Sequence, residues 1–126
     1  MNEKAIIITN NILSLNAFSS ELKVDFINGS LLDVLICVRD YIHKGHILLT
    51  HPLMGSIKPN QTPYKTVAIS FKSEKDVDLD SLMYIEKSIE STIKFLSNSP
   101  LRNWKDSILE DFRVIDFDLI YNAIKK

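Results

Sequence analysis

The feature that most constrains the fold is a continuous apolar run near the start of the chain, Lys4 to Thr9. Its β-branched residues do not alternate with polar ones, which is typical of a strand covered on both faces. Strand-like and helix-like segments then alternate along the rest of the chain. This succession predicts an α/β domain with helices on both sides of a central sheet.

The remaining apolar runs predict a small sheet. Further strands are expected at Leu22 to Ile27, toward an edge, at His46 to Leu49, and at Thr66 to Phe71. The first three strands are expected to be mutually parallel, whereas the long loop before the fourth allows that strand to run antiparallel. We therefore predict a three-layer sandwich with a mostly parallel sheet of four or five strands. The expected order is second, first, third, fourth.

The clearest helix is predicted from Leu31 to Lys44, because Ser30 is a good N-cap and Gly45 supplies a left-handed residue at the end. A shorter helix is expected at Ile12 to Phe18. The side chains expected to be almost fully buried are Ile6, Ile8, Leu35, Val38, Leu48, Val67 and Ile69. The stripe of the clearest helix, which adds Leu31, Val34 and Ile42 to Leu35 and Val38, is expected to pack on the sheet.

Two helical segments complete the chain. One is predicted from a cap at Asp78 or Asp80 to about Ser97. The last segment, Trp104 to Lys126, is predicted to form one broken helix or two short ones, with Asp116 as the N-cap of the second piece.

Composition limits the class of protein. With 126 residues the chain suits a single domain, and 45% apolar with 25% charged residues is ordinary for a globular protein. A net charge of −1 gives no electrostatic footprint for nucleic acid or an anionic membrane, and no apolar stretch approaches the ~20 residues of a membrane span. The first residues do not resemble a signal peptide, and the lone Cys37 fits a reducing compartment, so a cytoplasmic location is expected.

A long loop, Thr50 to Tyr64, lies between two predicted strands and holds three of the four prolines. Loops of this length are uncommon in small domains and are commonly functional or disordered. The prolines favour order, because each fixes its own φ and restricts the preceding residue. The loop is therefore expected to be ordered and to fold over the carboxyl edge of the sheet.

Polar residues follow the first three predicted strands, where an open parallel sheet binds its ligands. The start of the helix after Gly29 offers backbone N–H groups to a phosphate or carboxylate, Lys58 adds a positive charge, and His51 adds an imidazole for acid–base chemistry. The predicted ligand-binding residues are Asn10, Asn11, Gly29, Ser30, His51, Ser56, Lys58 and Asn60, with His51 as the candidate catalytic residue.

Each of these residues also has a structural interpretation. Asn10 and Asn11 are common turn formers, Gly29 with Ser30 forms a turn and a cap, and His51 can bond a loop carbonyl. The match of Gly55 to Lys58 to a phosphate loop lacks the Walker spacing. Cys37 is expected to be an inert packing residue, and no metal site or cofactor is indicated.

Five stretches of the chain are distinctive when taken together: the opening Ile7 to Asn11, then Asp33 to His46, Leu48 to Leu53, Gly55 to Asn60, and Thr62 to Lys65. They resemble the GrdX family, small proteins encoded beside the selenoprotein glycine, sarcosine and betaine reductases of amino-acid-fermenting anaerobes. The resemblance implies a cytoplasmic setting and an association with amino-acid reduction. It implies no activity, cofactor or catalytic residue.

Two classes of function stay open. The first is an accessory or regulatory protein that binds a small anionic metabolite, or a reductase component, through the loop at Thr50 to Tyr64. The second is a small enzyme that uses His51 as an acid or base while Lys58 orients an anion. Because a general base needs a neighbour to orient it, and no carboxylate is obviously placed beside His51, the sequence favours binding. Neither nucleic acid nor a membrane is expected as a partner, and a homo-oligomer stays open.

Overall fold

The computed structural model describes residues 4–55 and 57–124. Within these residues three strands form one sheet: β1 (Ala5–Thr9), β2 (Lys23–Phe26) and β3 (Thr66–Ser70). The helices of the described chain are α1 (Ile12–Phe18), α2 (Leu31–His43), α3 (Leu79–Asn98) and α4 (Asp106–Ile124). None of them has the length and apolar character needed to cross a bilayer.

The strands lie in the order β2-β1-β3. β1 pairs parallel with β2, with Ile7 opposite Val24, and antiparallel with β3, with Ile7 opposite Ala68. The α/β class, the parallel first pair, the edge position of β2 and the antiparallel final strand are confirmed. The described residues form a mixed sheet of three strands, so the prediction of four or five mostly parallel strands was wrong.

The segment predicted as the third strand, His46 to Leu49, contributes only one antiparallel bridge, between Leu48 and Ile69. It lies beside β3 rather than β1, so the predicted strand order was also wrong. Two of its backbone N–H groups bind side chains instead of a neighbouring strand: Ile47 donates to Ser70 Oγ at 2.8 Å and Leu48 donates to Ser81 Oγ at 3.0 Å. A regular ladder cannot form where side chains take its hydrogen bonds.

α2 and α3 cover one face of the sheet, where the apolar stripe of α2 is buried as predicted. Ser30 caps α2, and Gly45 follows its end with a φ of 104°. Asp78 caps α3, one of the two caps predicted for this helix. The predicted core residues Ile6, Ile8, Leu35, Val38, Val67 and Ile69 are buried. Leu48 is only partly buried, because it belongs to the irregular edge segment.

α1 and α4 cover the opposite face, around Ile7, Phe18, Ala68, Ile120 and Ile124. α4 is continuous from Asp106 to Ile124, so the broken helix was a wrong prediction. Asp116 lies in its middle and is 6% exposed, so it is not a cap. Its carboxylate accepts hydrogen bonds from β3, since Thr66 donates both its backbone N–H and its hydroxyl.

Candidate functional site

The loop that follows the bridge segment packs against the end of α3 and the connection to α4. Asn60 Nδ2 donates to the carbonyl of Ser99 at 2.9 Å, and Trp104 Nε1 donates to the carbonyl of Gln61 at 2.8 Å. The predicted ligand residues do not form one site. They divide among two surface cavities, one shallow depression and the protein interior, while Ser56 lies outside the described residues.

The first cavity, which we call the α2 cleft, measures about 270 Å³ and lies between the turn before α2, the loop and the end of α3. It brings Asn10, Gly29 and Ser30 together with Pro59 and Pro63 of the loop. Asn10 holds these walls to one another: its Nδ2 donates to the carbonyls of Gly29 (3.0 Å) and Pro63 (2.8 Å). Its Oδ1 accepts from the N–H of Lys65 at 2.9 Å, so both the nitrogen and the oxygen of the side-chain amide are already hydrogen-bonded within the protein.

The start of α2 is closed by a capping box. Ser30 Oγ accepts from the N–H of Asp33 at 3.1 Å, and Asp33 Oδ2 accepts from the N–H of Ser30 at 2.9 Å. A Cβ at Gly29 would clash with that carboxylate oxygen, so a side chain there would have to displace Asp33 from the capping box. The Asp33 carboxylate therefore supplies a negative charge beside the positive end of the helix.

The second cavity, which we call the Lys58 groove, measures about 320 Å³ on the other side of the loop. Lys58 Nζ lies 5.9 Å from the centre of the Phe95 ring, and Arg102 Cζ lies 5.5 Å from that of Trp104. Such cation–π contacts restrict long side chains that water would otherwise leave free. The described lining consists of Lys58, Asn60, Gln61, Ser99, Pro100, Arg102 and Trp104, and it carries no carboxylate.

Asn60 joins the groove to the end of α3. Its Nδ2 donates to the carbonyls of Phe95 (3.4 Å) and Ser99 (2.9 Å) at the C-terminal end of the helix, where the Phe95 carbonyl also accepts from the N–H of Ser99. Its Oδ1 is buried and has no hydrogen-bond partner within the described chain. The amide orientation follows from the two carbonyls, because a reversed amide would place its oxygen against them.

His51 lies apart from both cavities, in a shallow depression beside Tyr84. Its Nδ1 accepts a hydrogen bond from the N–H of Leu53 at 3.0 Å, and its ring meets the Tyr84 ring edge-on at 5.6 Å. In the described residues no carboxylate is bonded to the imidazole. The contacts of His51 shape the first turn of the loop.

Asn11 is fully buried and caps α1, so it faces the interior and not a ligand. Its Nδ2 donates to the carbonyl of Arg113 (2.8 Å) and to Asp116 Oδ2 (3.0 Å). Among the described residues no three His, Cys, Asp or Glu side chains are grouped to hold a metal ion.

Residues 6–125 of the chain match the family model described as GrdX-like protein. The chain belongs to the GrdX-like protein family. The match confirms the resemblance given by the sequence stretches in the first half of the chain and extends it through α4. No curated protein and no solved structure matches this GrdX-like protein.

Sequence reasoning missed four notable residues of this GrdX-like protein: Lys65, Arg102, Trp104 and Asp116. The row Phe112, Asp116, Ile120 and Ile124 repeats every fourth residue, and this spacing could have placed Asp116 on the buried face of α4. Arg102 and Trp104 lie in an exposed connection without periodicity. Only the packing of the loop brings them to Lys58.

Proposed function

We propose that this GrdX-like protein is an accessory protein of glycine, sarcosine and betaine reductase systems that binds a small anionic ligand in the Lys58 groove. Family membership supports the association with these reductases. The groove supports the anion, and its chemistry is that of a receptor for a carboxylate or a phosphate. The protein acts by binding rather than by turning over a substrate.

The observation that carries the proposal is the presence of two cations in one groove whose described lining has no carboxylate. Elsewhere Arg39 and Arg113 are each paired with a glutamate, Glu86 and Glu110. Lys58 and Arg102 contact aromatic rings instead, which leaves their charges available to a ligand. Charge-assisted hydrogen bonds to both groups would be stronger than bonds from neutral donors.

The groove is also preformed. The bonds from Asn60 to Ser99 and from Trp104 to Gln61 tie the loop to the connection between α3 and α4. A ligand that meets groups already held in place loses less of its binding free energy to ordering them. Pro59 and Pro100 restrict the backbone on the two sides of this contact.

Catalysis by His51 receives no comparable support. A general base needs an orienting partner and a substrate within reach, whereas the Nδ1 of His51 is bonded to its own loop and the ring lies outside the Lys58 groove. The imidazole and Lys58 therefore do not face one anion, as the enzyme hypothesis requires.

The melting temperature of the protein tests the proposal in the presence of phosphate, acetyl phosphate, glycine, acetate and nucleotides. A ligand at 100 times its Kd stabilises the folded state by about 2.7 kcal/mol, which gives a rise of several degrees. We expect at least one of the anions in this panel to produce that rise, whereas glycine is a zwitterion without net charge at pH 7. The double substitution Lys58→Ala with Arg102→Ala should abolish it and leave the melting temperature without ligand within a few degrees.

Lys44→Ala is the matched control, because Lys44 is exposed and its Nζ lies 5.7 Å from the Tyr41 ring. It removes a lysine in the same kind of contact outside the groove, and the response to the anion should persist. His51→Ala should also keep the response. If the double variant responds like the wild type, or if His51→Ala alone abolishes the response, the groove is not the anion site.

A further inference from the structure

The α2 cleft has different chemistry from the Lys58 groove. We infer that it is a second binding site, which takes a small uncharged and mainly apolar molecule that carries a hydrogen-bond acceptor such as a carbonyl. The inference depends on the shape, charge and free donors of the cleft. It does not depend on anion binding at Lys58.

The walls of the cleft are mostly apolar and come from three parts of the fold. Phe26 and Leu31 border the turn before α2, Pro63 belongs to the loop, and Leu96 and Leu101 lie at the end of α3 and just beyond it. Phe26 is 38% and Leu101 40% exposed, so large apolar surfaces remain uncovered in the free protein. Covering them with an apolar molecule is favourable in proportion to the area removed from water.

The size of the cleft suits a small ring compound. An apolar cavity of ~150 Å³ is sufficient to hold benzene in a well-studied engineered protein. The α2 cleft, at about 270 Å³, has room for a ring with a short substituent but little more. This volume lies just below the ~300 Å³ at which sites for drug-sized ligands begin.

The charge at the cleft disfavours an anion. The described residues that line it include no Lys, Arg, Asp or Glu. The positive end of α2 is already matched by the Asp33 carboxylate, which accepts from the N–H of Ser30. An anionic ligand would lose its hydration and meet this carboxylate nearby, so a neutral molecule fits better.

Donors for an acceptor group remain at the same end. Because Ser30 Oγ accepts from Asp33, its hydroxyl proton is available to a ligand, and Leu31 and Leu32 are the first two residues of α2. Backbone N–H groups in a first helical turn have no partner within the helix. Asn10 does not contribute, since its amide is used by Gly29, Pro63 and Lys65.

Three probes of similar size separate the contributions of the apolar ring, the carbonyl acceptor and the ligand charge to binding. Each is measured in an amide NMR titration of the full chain. Acetophenone is neutral and has a carbonyl, ethylbenzene lacks the acceptor, and benzoate carries a negative charge. We expect saturable shifts of the Gly29, Leu31 and Leu32 amides with acetophenone. Ethylbenzene should bind several-fold more weakly, and benzoate at least tenfold more weakly.

Filling the cleft should block the site. Leu96→Trp places a large side chain in the cleft, and acetophenone binding should fall at least tenfold. Ile93→Trp is the matched control, because Ile93 lies on the same helix, is 49% exposed and does not line the cleft. It should leave binding unchanged.

A measurement on the unaltered protein covers the case in which Leu96→Trp does not fold. Intermolecular NOEs should connect the acetophenone ring protons to the methyl groups of Leu31 and Leu101. The absence of these NOEs under saturating acetophenone, or benzoate binding as tight as that of acetophenone, would overturn the inference. Phosphate binding at Lys58 is measured separately, so failure of one site is distinguishable from failure of the other.

Discussion

The two faces of the sheet are stabilised by different chemistry. On the α2–α3 face, Ile6 and Ile8 meet Val67 and Ile69 in an apolar cluster. On the α1–α4 face, the apolar residues share the buried surface with Thr9, Thr66 and Asp116. The first face gains stability from apolar area removed from water, whereas the second depends on hydrogen bonds that are costly to leave unmade.

The polar side is a connected network. Thr9 Oγ and Thr66 Oγ lie 2.7 Å apart across the paired strands, and Ser14 Oγ lies 2.8 Å from Thr66 Oγ. Asp116 Oδ2 accepts from the Thr66 hydroxyl at 2.7 Å and from Asn11 Nδ2 at 3.0 Å. The Asp116 carboxylate thus joins β3 and the cap of α1 to the middle of α4, and Thr66 extends the network to Thr9 of β1.

The largest effect is expected from Asp116→Ala, which removes the acceptor of three buried donors on the polar face. Each unpaired buried donor costs about 1–3 kcal/mol, so the free energy of unfolding should fall by roughly 3–5 kcal/mol. Urea denaturation measures this loss. Asp118→Ala is the control, since Asp118 is exposed on the same helix, and its effect should stay within about 0.5 kcal/mol. A loss under about 1 kcal/mol for Asp116→Ala would show that the network adds little.

A smaller and graded effect is expected on the apolar face. Leu35 is fully buried, so Leu35→Ala should lower the free energy of unfolding by roughly 2–5 kcal/mol. Leu48→Ala should cost about 1–2 kcal/mol, because this side chain is only partly buried at the irregular edge. Equal losses at the two positions would indicate that the bridge segment is packed as tightly as the core. The measurement is again urea denaturation.

The smallest effect, with the opposite sign, is expected at Lys65, which is 6% exposed near the polar network. Burial lowers the pKa of its amine below the ordinary value of 10.5, and the charge of Asp116 opposes this shift only in part. Lys65→Met removes the cost of burying a charge and should stabilise the protein by about 1 kcal/mol at pH 7.

The pH dependence follows from the same shift. The pKa of Lys65 is lower in the folded state than in the unfolded state. At pH values between the two, the unfolded state therefore binds more protons, and the free energy of unfolding of the wild type rises as the pH increases toward 10.5. The advantage of Lys65→Met in urea denaturation should therefore shrink as the pH is raised from 7 toward 10.5. An advantage that grows over this range would contradict the assignment.

Local sequence was sufficient for the parts of the fold that local interactions determine. Ser30, with an acid at the third helical position, and Gly45 define the two ends of α2, and its apolar stripe faces the core as expected. The hydrogen bonds of the bridge segment were not predictable in this way, because Ile47 and Leu48 bind Ser70 and Ser81, which are distant in the chain. The candidate site was predicted as one cluster and divides into several, since this irregular edge changes where the loop begins.

The sequence alone determined the α/β class, the buried first strand and α2, because apolar periodicity and helix caps act over a few residues. The family followed from the resemblance of particular sequence stretches, which the family model confirms. Tertiary structure decided the position of β3 beside β1, the burial of Asp116 and the presence of Lys58 and Arg102 in one groove. Each of these depends on contacts between residues far apart in the chain, which local sequence patterns do not specify. The same packing formed a neutral cleft and a cationic groove along one loop.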